Sequence, residues 1–263
     1  MDLQLAGKRA LVTGAHRGTG AGIARALAAE GAEVLVHCHL PGEAEGTLAA
    51  IRAAGHQAQA IPGDLMSDSG AEDLARAAGP VDVLVNNYGL ATRGSWDGAR
   101  EADWLDMYQR NVISAARMAR LFSPHMKARK WGRIVNLGTI GSTRPAARMP
   151  HYYAAKGALA TMNASLAKEL APHGITVNLV SPGLIRTAEV EEMYRARAAR
   201  EGWGVDWDAI AARIAASEMP NPTGRVAEIA EVADLVCFLA SPRAGFITGI
   251  NVRVDGGATD VVT

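Results

Sequence analysis

Only two cysteines, Cys38 and Cys237, occur among the 263 residues, too few for a disulfide framework or a thiolate metal cluster. His16 and His37 have no accompanying carboxylate or cysteine cluster, so no metal site is expected. Net charge is also lacking: 27 Lys+Arg balance 27 Asp+Glu. Without a basic stripe or charge run, nothing points to nucleic acid or an anionic surface as partner. No apolar run approaches the roughly 20 residues of a membrane span. The opening M-D-L-Q-L-A-G-K-R-A has neither the charged nor the apolar region of a signal peptide. There are no internal repeats and no low-complexity linker long enough to divide the chain. A single domain over 1–263 is expected, reduced and cytoplasmic, and long enough to bury a substantial core.

What is present is alternation. Short apolar runs at 8–13, 33–38, 57–61, 81–86, 132–138, 174–180 and 249–254 predict strands. Helical patterns fall between them at 18–30, 42–54, 68–78, 101–129, 152–171 and 227–240. V-D-V-L-V-N and G-R-I-V-N-L-G are continuously apolar, as strands covered on both faces are. The fold class is therefore α/β: one doubly wound parallel sheet of about seven strands, with helices on both faces. In the 101–129 helix, Trp104, Leu105, Tyr108, Val112, Ala115, Ala119 and Phe122 predict one apolar stripe facing the sheet. Segment 184–226 breaks the alternation and predicts a small helical excursion. Its Met193, Tyr194, Trp203, Trp207, Ile210, Ile214 and Met219 are equally compatible with a private core and with a binding wall.

After the first strand comes T-G-A-H-R-G-T-G, then an alanine-rich helix. Strand, glycine turn and helix are the Rossmann-type context of a dinucleotide loop. Gly14 would allow the tight turn, Gly18 the approach of backbone to a pyrophosphate, and Gly20 close strand–helix packing. The helix N-terminus would offer free N–H groups to the phosphates. Further on, Tyr152 and Lys156 stand at i and i+4 on one helical face. There an ammonium could lower a phenol from its ordinary pKa of about 10 and fit it for proton exchange near neutral pH.

The G-x-x-x-G-x-G spacing, with Thr139 and Tyr152-x-x-x-Lys156, resembles the short-chain dehydrogenase/reductases along nearly the whole chain. Asp64-Leu65 looks like that family's adenine-contacting pair, and Asn86-Asn87-Tyr88-Gly89 like its N-N-A-G turn. Asn111 stands where the family keeps a water-holding asparagine. Pro182-Gly183, with Ile185 and Thr187 beyond, resembles its motif beside the nicotinamide. V-D-G-G at 254–257 matches its last strand end.

The resemblance implies hydride transfer between a nicotinamide cofactor and a carbonyl or secondary alcohol. Tyr152 would be the acid/base, Lys156 its electrostatic partner and ribose ligand, Thr139 the hydrogen-bond donor to substrate, and Asn111 the holder of a relay water. Thr19 would complete the glycine loop, and 184–226 would be the variable substrate-binding segment. Tyr88, which replaces the turn's alanine, is expected to pack. Tyr153 and His151 are read as packing and local polar groups.

Cys38 occupies the position read as the family's NAD-selecting aspartate, while Arg17 and His39 could meet a 2′-phosphate. NADP(H) is therefore favoured, with NAD(H) possible. A thiol reagent at Cys38 would then obstruct cofactor entry. The resemblance also implies a homo-oligomer, dimer or tetramer, joined through the 101–129 and Tyr152 helices. A 3-oxoacyl-thioester reductase is the nearest analogue, with Arg144 and Arg148 available to a pantetheine arm. A non-catalytic dinucleotide-binding regulator is the alternative from another class, and a methyl transferase would leave the Tyr152–Lys156 pair unexplained.

Overall fold

The apolar runs form seven parallel strands: β1 (Arg9–Val12), β2 (Glu33–Cys38), β3 (Ala58–Pro62), β4 (Val83–Asn86), β5 (Gly132–Leu137), β6 (Ile175–Pro182) and β7 (Asn251–Val254). They lie in the order β3-β2-β1-β4-β5-β6-β7 in the computed structural model, which describes residues 1–260. Because side chains alternate along a strand, each central strand feeds two cores. Ala10, Val12, Val34, Val36, Val83 and Val85 face one side, where α1 (Gly18–Ala29), α2 (Glu45–Ala53) and α9 (Ile229–Ala240) pack. Leu11, Leu35, Leu84 and Ile134 face the other, against α3 (Asp68–Ala78), α5 (Ser114–Arg129) and α6 (Pro150–Leu170). Among the described residues, no helix is long and apolar enough to cross a membrane.

The expected helix over 101–129 is interrupted. It divides into α4 (Glu101–Tyr108), a π-helical turn at Gln109–Ile113, and α5. The side-chain amide of Asn111 donates to the Met107 carbonyl at 3.0 Å, and the Ser114 hydroxyl donates to the Arg110 carbonyl at 2.7 Å. Side chains thus compete for acceptors that a regular helix reserves for backbone N–H groups. The widened turn also rotates the apolar stripe. Val112, Ala115, Ala119 and Phe122 are buried as expected, but Leu105 is 63% exposed and Met107 is buried in its place.

The excursion folds as α7 (Ala188–Glu201) and α8 (Trp207–Arg213), the latter continuing into a π turn at Ile214–Glu218. Tyr194, Trp207, Ile210, Ile214 and Val226 form its own core, and Trp203 and Met219 pack at the edge. Its two ends are pinned together: Arg186 N–H donates to the Ala227 carbonyl at 2.8 Å, and Ala227 N–H to the Leu184 carbonyl at 3.1 Å. Arg186 and Arg195 lie over the Trp207 ring, and Arg197 and Arg213 over Trp203.

Candidate active site

The strand C-termini place β1's glycine turn beside the turns after β4, β5 and β6. Gly14 and Gly18 have φ of +60° and +56°, which L side chains rarely adopt. A Cβ at Gly20 would stand 2.4 Å from the Asn87 amide nitrogen and 2.5 Å from the Gly14 carbonyl. Asn87 itself braces the turn by donating to the carbonyls of Thr13 and Gly14, both at 2.9 Å. Gly22, which the sequence motif does not include, has a packing role: a Cβ there would meet Ile229 of α9 at 2.1 Å.

Thr19, Asn87, Gly89, Asn111, Tyr152, Lys156, Pro182 and Ile185 line one cleft of about 150 Å³ with Gly138 and Leu137. Thr139 follows Gly138; its hydroxyl accepts from Gly141 N–H at 3.3 Å and lies near enough to the Tyr152 phenol to favour its ionised form. Gly183 N–H donates to the Val254 carbonyl at 2.9 Å, so the 254–257 turn backs the turn after β6. Thr187 caps α7 by accepting from Val190 N–H at 3.3 Å, and its methyl would lie 3.8 Å from a Cβ at Gly18. Beyond Ile140, a second cavity of about 160 Å³ reaches Ile214, Met219 and Asn221 of the excursion.

Lys156 is buried and Tyr152 partly so, and desolvation governs their ionisation. The Tyr152 phenol is pushed up to about 12, chiefly by burial and then by Tyr153, with the Thr139 hydroxyl opposing. Lys156 is brought down to about 8 by burial alone. The ammonium donates to the Leu137 carbonyl at 2.7 Å and lies 6.0 Å from the Tyr152 ring centre. Desolvation disfavours the tyrosinate, and Lys156, expected to lower the phenol, is not among the groups that shift it in this arrangement. Desolvation thus favours the uncharged form of both groups.

The Asn111 amide donates to the carbonyls of Leu90 and Met107, both at 3.0 Å, while its Oδ1 is buried without a partner. A Cβ at Gly89 would come 2.5 Å from that oxygen and 3.5 Å from the Lys156 Nζ. The bare backbone at Gly89 thus opens onto an acceptor and a cation. This vacant acceptor, the left-handed glycines and the N-terminus of α1 fit the phosphates and ribose of a dinucleotide.

Other residues have local work. His151 is buried, accepts from Tyr152 N–H at 2.9 Å through Nδ1, and meets the Thr92 hydroxyl at 3.3 Å. Tyr153 packs its ring where any Cβ on Gly141 would collide. Tyr88 packs edge-on to His37, with ring centres 6.1 Å apart, and accepts from Arg110 at 3.4 Å. Met149, at the N-cap of α6, has φ +61°, a left-handed conformation strained for a residue preceding proline.

At the adenosine end the sequence reading needs revision. Cys38 is buried in the core with its thiol raised by that burial and by Glu43, so it neither faces a ribose nor invites a thiol reagent. Alternation along β2 turns the next residue, His39, outward instead. Leu65 is likewise in the core, while Asp64 accepts from Met66 N–H at 2.8 Å and the Ser67 hydroxyl at 2.7 Å. Arg17 lies 3.4 Å from Glu189 of α7, with both side chains exposed. Arg144 donates to the Ala258 carbonyl and so fastens the last described turn rather than standing free.

With the geometry in view, the class follows: an α/β dinucleotide-binding oxidoreductase. Residues 14–259 match the family described as enoyl-(acyl carrier protein) reductase. The chain is 36% identical over 252 residues to the short-chain reductase protein NovJ of Streptomyces niveus, covering 94% of this chain and 92% of that one. It is 35% identical over 252 residues to the 3-oxoacyl-[acyl-carrier-protein] reductase FabG of Escherichia coli K12, covering 95% and 97%. The L-sorbose reductase of Gluconobacter frateurii, solved with NADPH and L-sorbose, superposes with a TM-score of 0.93 over 100% of both chains at 28% identity. The chain belongs to the short-chain dehydrogenase/reductase family and is an NAD(P)-dependent oxidoreductase.

Proposed function

We propose that the chain is a carbonyl reductase favouring NADP(H), with Tyr152 as the acid/base and 184–226 as the substrate-binding segment. The carrying observation is that Tyr152, Lys156 and Asn111 line one cleft, with Thr139 beside the phenol. A nicotinamide, when bound, supplies the hydride to the carbonyl carbon. Tyr152 delivers the proton to the substrate oxygen, and Thr139 donates a hydrogen bond to that oxygen as negative charge builds on it. Gly14, Gly18, Thr19 and the N-terminus of α1 would hold the pyrophosphate; Asn87, Gly89 and Lys156 would hold the nicotinamide ribose; Pro182, Gly183, Ile185 and Thr187 would border the carboxamide. Lys156 and Asn111 place a cation and a free acceptor where a water can return a proton to Tyr152. The second cavity reaches from beside Thr139 to the excursion, which supports assigning substrate choice there.

A 3-oxoacyl thioester is the narrower reading, favoured by the likeness to FabG along 95% of this chain. Arg148 is exposed, near Tyr153 and Glu218, and available to such a substrate, whereas Arg144 is already engaged. The experiment is Tyr152→Phe, assayed for carbonyl reduction and for dinucleotide binding by energy transfer from tryptophan. Turnover is expected to fall roughly 100- to 10,000-fold with binding retained. Turnover unchanged in the variant would remove Tyr152 from the mechanism. Dinucleotide binding with no turnover of any carbonyl by the native chain would favour the regulator.

A further inference from the structure

β2 ends at Cys38, and the next two backbone N–H groups, those of His39 and Leu40, point at one acceptor. It is the Glu43 carboxylate, with the same oxygen 3.0 Å from His39 N and 2.9 Å from Leu40 N. Two consecutive N–H groups converging on one oxygen form an anion-binding concavity. Here the chain fills it with its own carboxylate. Glu43 is exposed, and its own backbone N–H also donates to the Leu40 carbonyl at 3.4 Å.

The surroundings suit an anion. Hydrogen bonds from Leu40 and His39, together with nearby His16 and His39, hold the Glu43 carboxyl below its ordinary pKa. His16, in the glycine loop, has a ring Nδ1 that is out of solvent and without a partner. Arg17 forms its ion pair with Glu189 of α7, not with Glu43. In a doubly wound sheet, the end of the second strand is where the adenosine ribose lies, and a carboxylate there prefers a 2′-hydroxyl to a 2′-phosphate.

We infer that Glu43 is a cofactor-specificity residue: its carboxylate occupies the seat on the His39 and Leu40 N–H groups that an adenosine 2′-phosphate would take. NADP(H) must displace it, whereas NAD(H) can leave it in place and hydrogen-bond to it. This rests on the reading of the cleft as a nicotinamide dinucleotide site. It makes the selecting group a side chain five residues past the strand, not the strand-end Cys38 or the loop Arg17.

The test is binding, not turnover. Native protein, Glu43→Gln and Glu43→Ala are titrated with NADPH and NADH by tryptophan energy transfer, and with adenosine 2′,5′-bisphosphate and 5′-AMP by calorimetry. Both variants should bind NADPH and the bisphosphate about tenfold more tightly, with NADH and AMP unchanged or weaker. An unchanged NADPH/NADH ratio in both variants overturns the inference and leaves Glu43 a turn-closing residue. Equal tightening of all four ligands overturns it too, since that reports loop mobility. Native protein that binds neither dinucleotide sinks the oxidoreductase reading itself, a separate outcome. Native protein that prefers NADH sinks the NADP(H) preference but leaves the role of Glu43 to be judged by the variants.

Discussion

His37 joins three segments around the dinucleotide loop. Its Nδ1 accepts from Gly14 N–H at 2.8 Å, and its Nε2 meets the Gly63 carbonyl at 3.2 Å, fixing a neutral tautomer with the proton on Nε2. Burial brings its pKa down to about 4, with the bond to Gly63 opposing. In the unfolded chain the same ring titrates near 6.5. Between those values the unfolded state binds a proton that the native state refuses, so stability rises with pH across the window. The contribution is complete above about pH 6.5 and is lost as pH falls toward 4. Urea unfolding of native protein and His37→Gln at pH 7 and pH 5 should show a loss larger by about 2 kcal/mol in the native chain. Equal losses would mean that the ring accepts a proton in place. At this scale local patterns were readable: Tyr152 and Lys156 lie within one helical turn, and Gly14, Gly18 and Gly20 within two. The seat of Glu43 was not, because no pattern of residue types says which carboxylate turns back onto its own loop. Cys38 was misplaced for a related reason, since a shift of one residue along β2 exchanges core for cleft.

A buried chain of amides ties the central elements together. Asn86 on β4 donates to Asn136 on β5 at 2.9 Å, and Asn136 donates to Asn163 on α6 at 2.9 Å. Asn86 and Asn136 are direct partners in the parallel ladder, so sheet register itself sets the first contact. Asn86 immediately precedes Asn87, and α6 carries Tyr152 and Lys156, so this chain links the cofactor turn to the acid/base helix. Removing Asn136 leaves a buried donor and a buried acceptor unpaired. Asn136→Ala should therefore cost about 2–3 kcal/mol in urea unfolding. The double variant with Asn86→Ala should cost less than the sum of the singles, because one hydrogen bond is then counted in both. Strict additivity would remove the coupling. Elements as such were legible from alternating apolar runs, since period and length are local. The amide chain was not, because its partners are 50 and 27 residues apart. Nor was the π turn, whose cause is the side chain of Asn111 competing within an otherwise ordinary helical pattern.

For the whole molecule, the sheet brings every strand-end turn to one edge and leaves an apolar surface elsewhere. Trp96 and Leu105, near the start of the split helix, are 68% and 63% exposed. We expect this face to be covered by a second copy, as the family resemblance implies. Light scattering should give the mass of a dimer or tetramer for the native chain and a smaller species for Leu105→Glu. A monomeric native chain would end that expectation. The excursion contrasts with this surface, because it buries its own aromatics and returns to its point of departure. Backbone bonds among Leu184, Arg186 and Ala227, with the Arg186–Glu228 ion pair, close its base without calling on the side chains of α8. On the proposed reading, the part of the segment beyond Thr187 would act as a cassette whose contents could be exchanged while the hydride-transfer apparatus keeps its alignment. Such modularity would let one catalytic chassis serve many substrates.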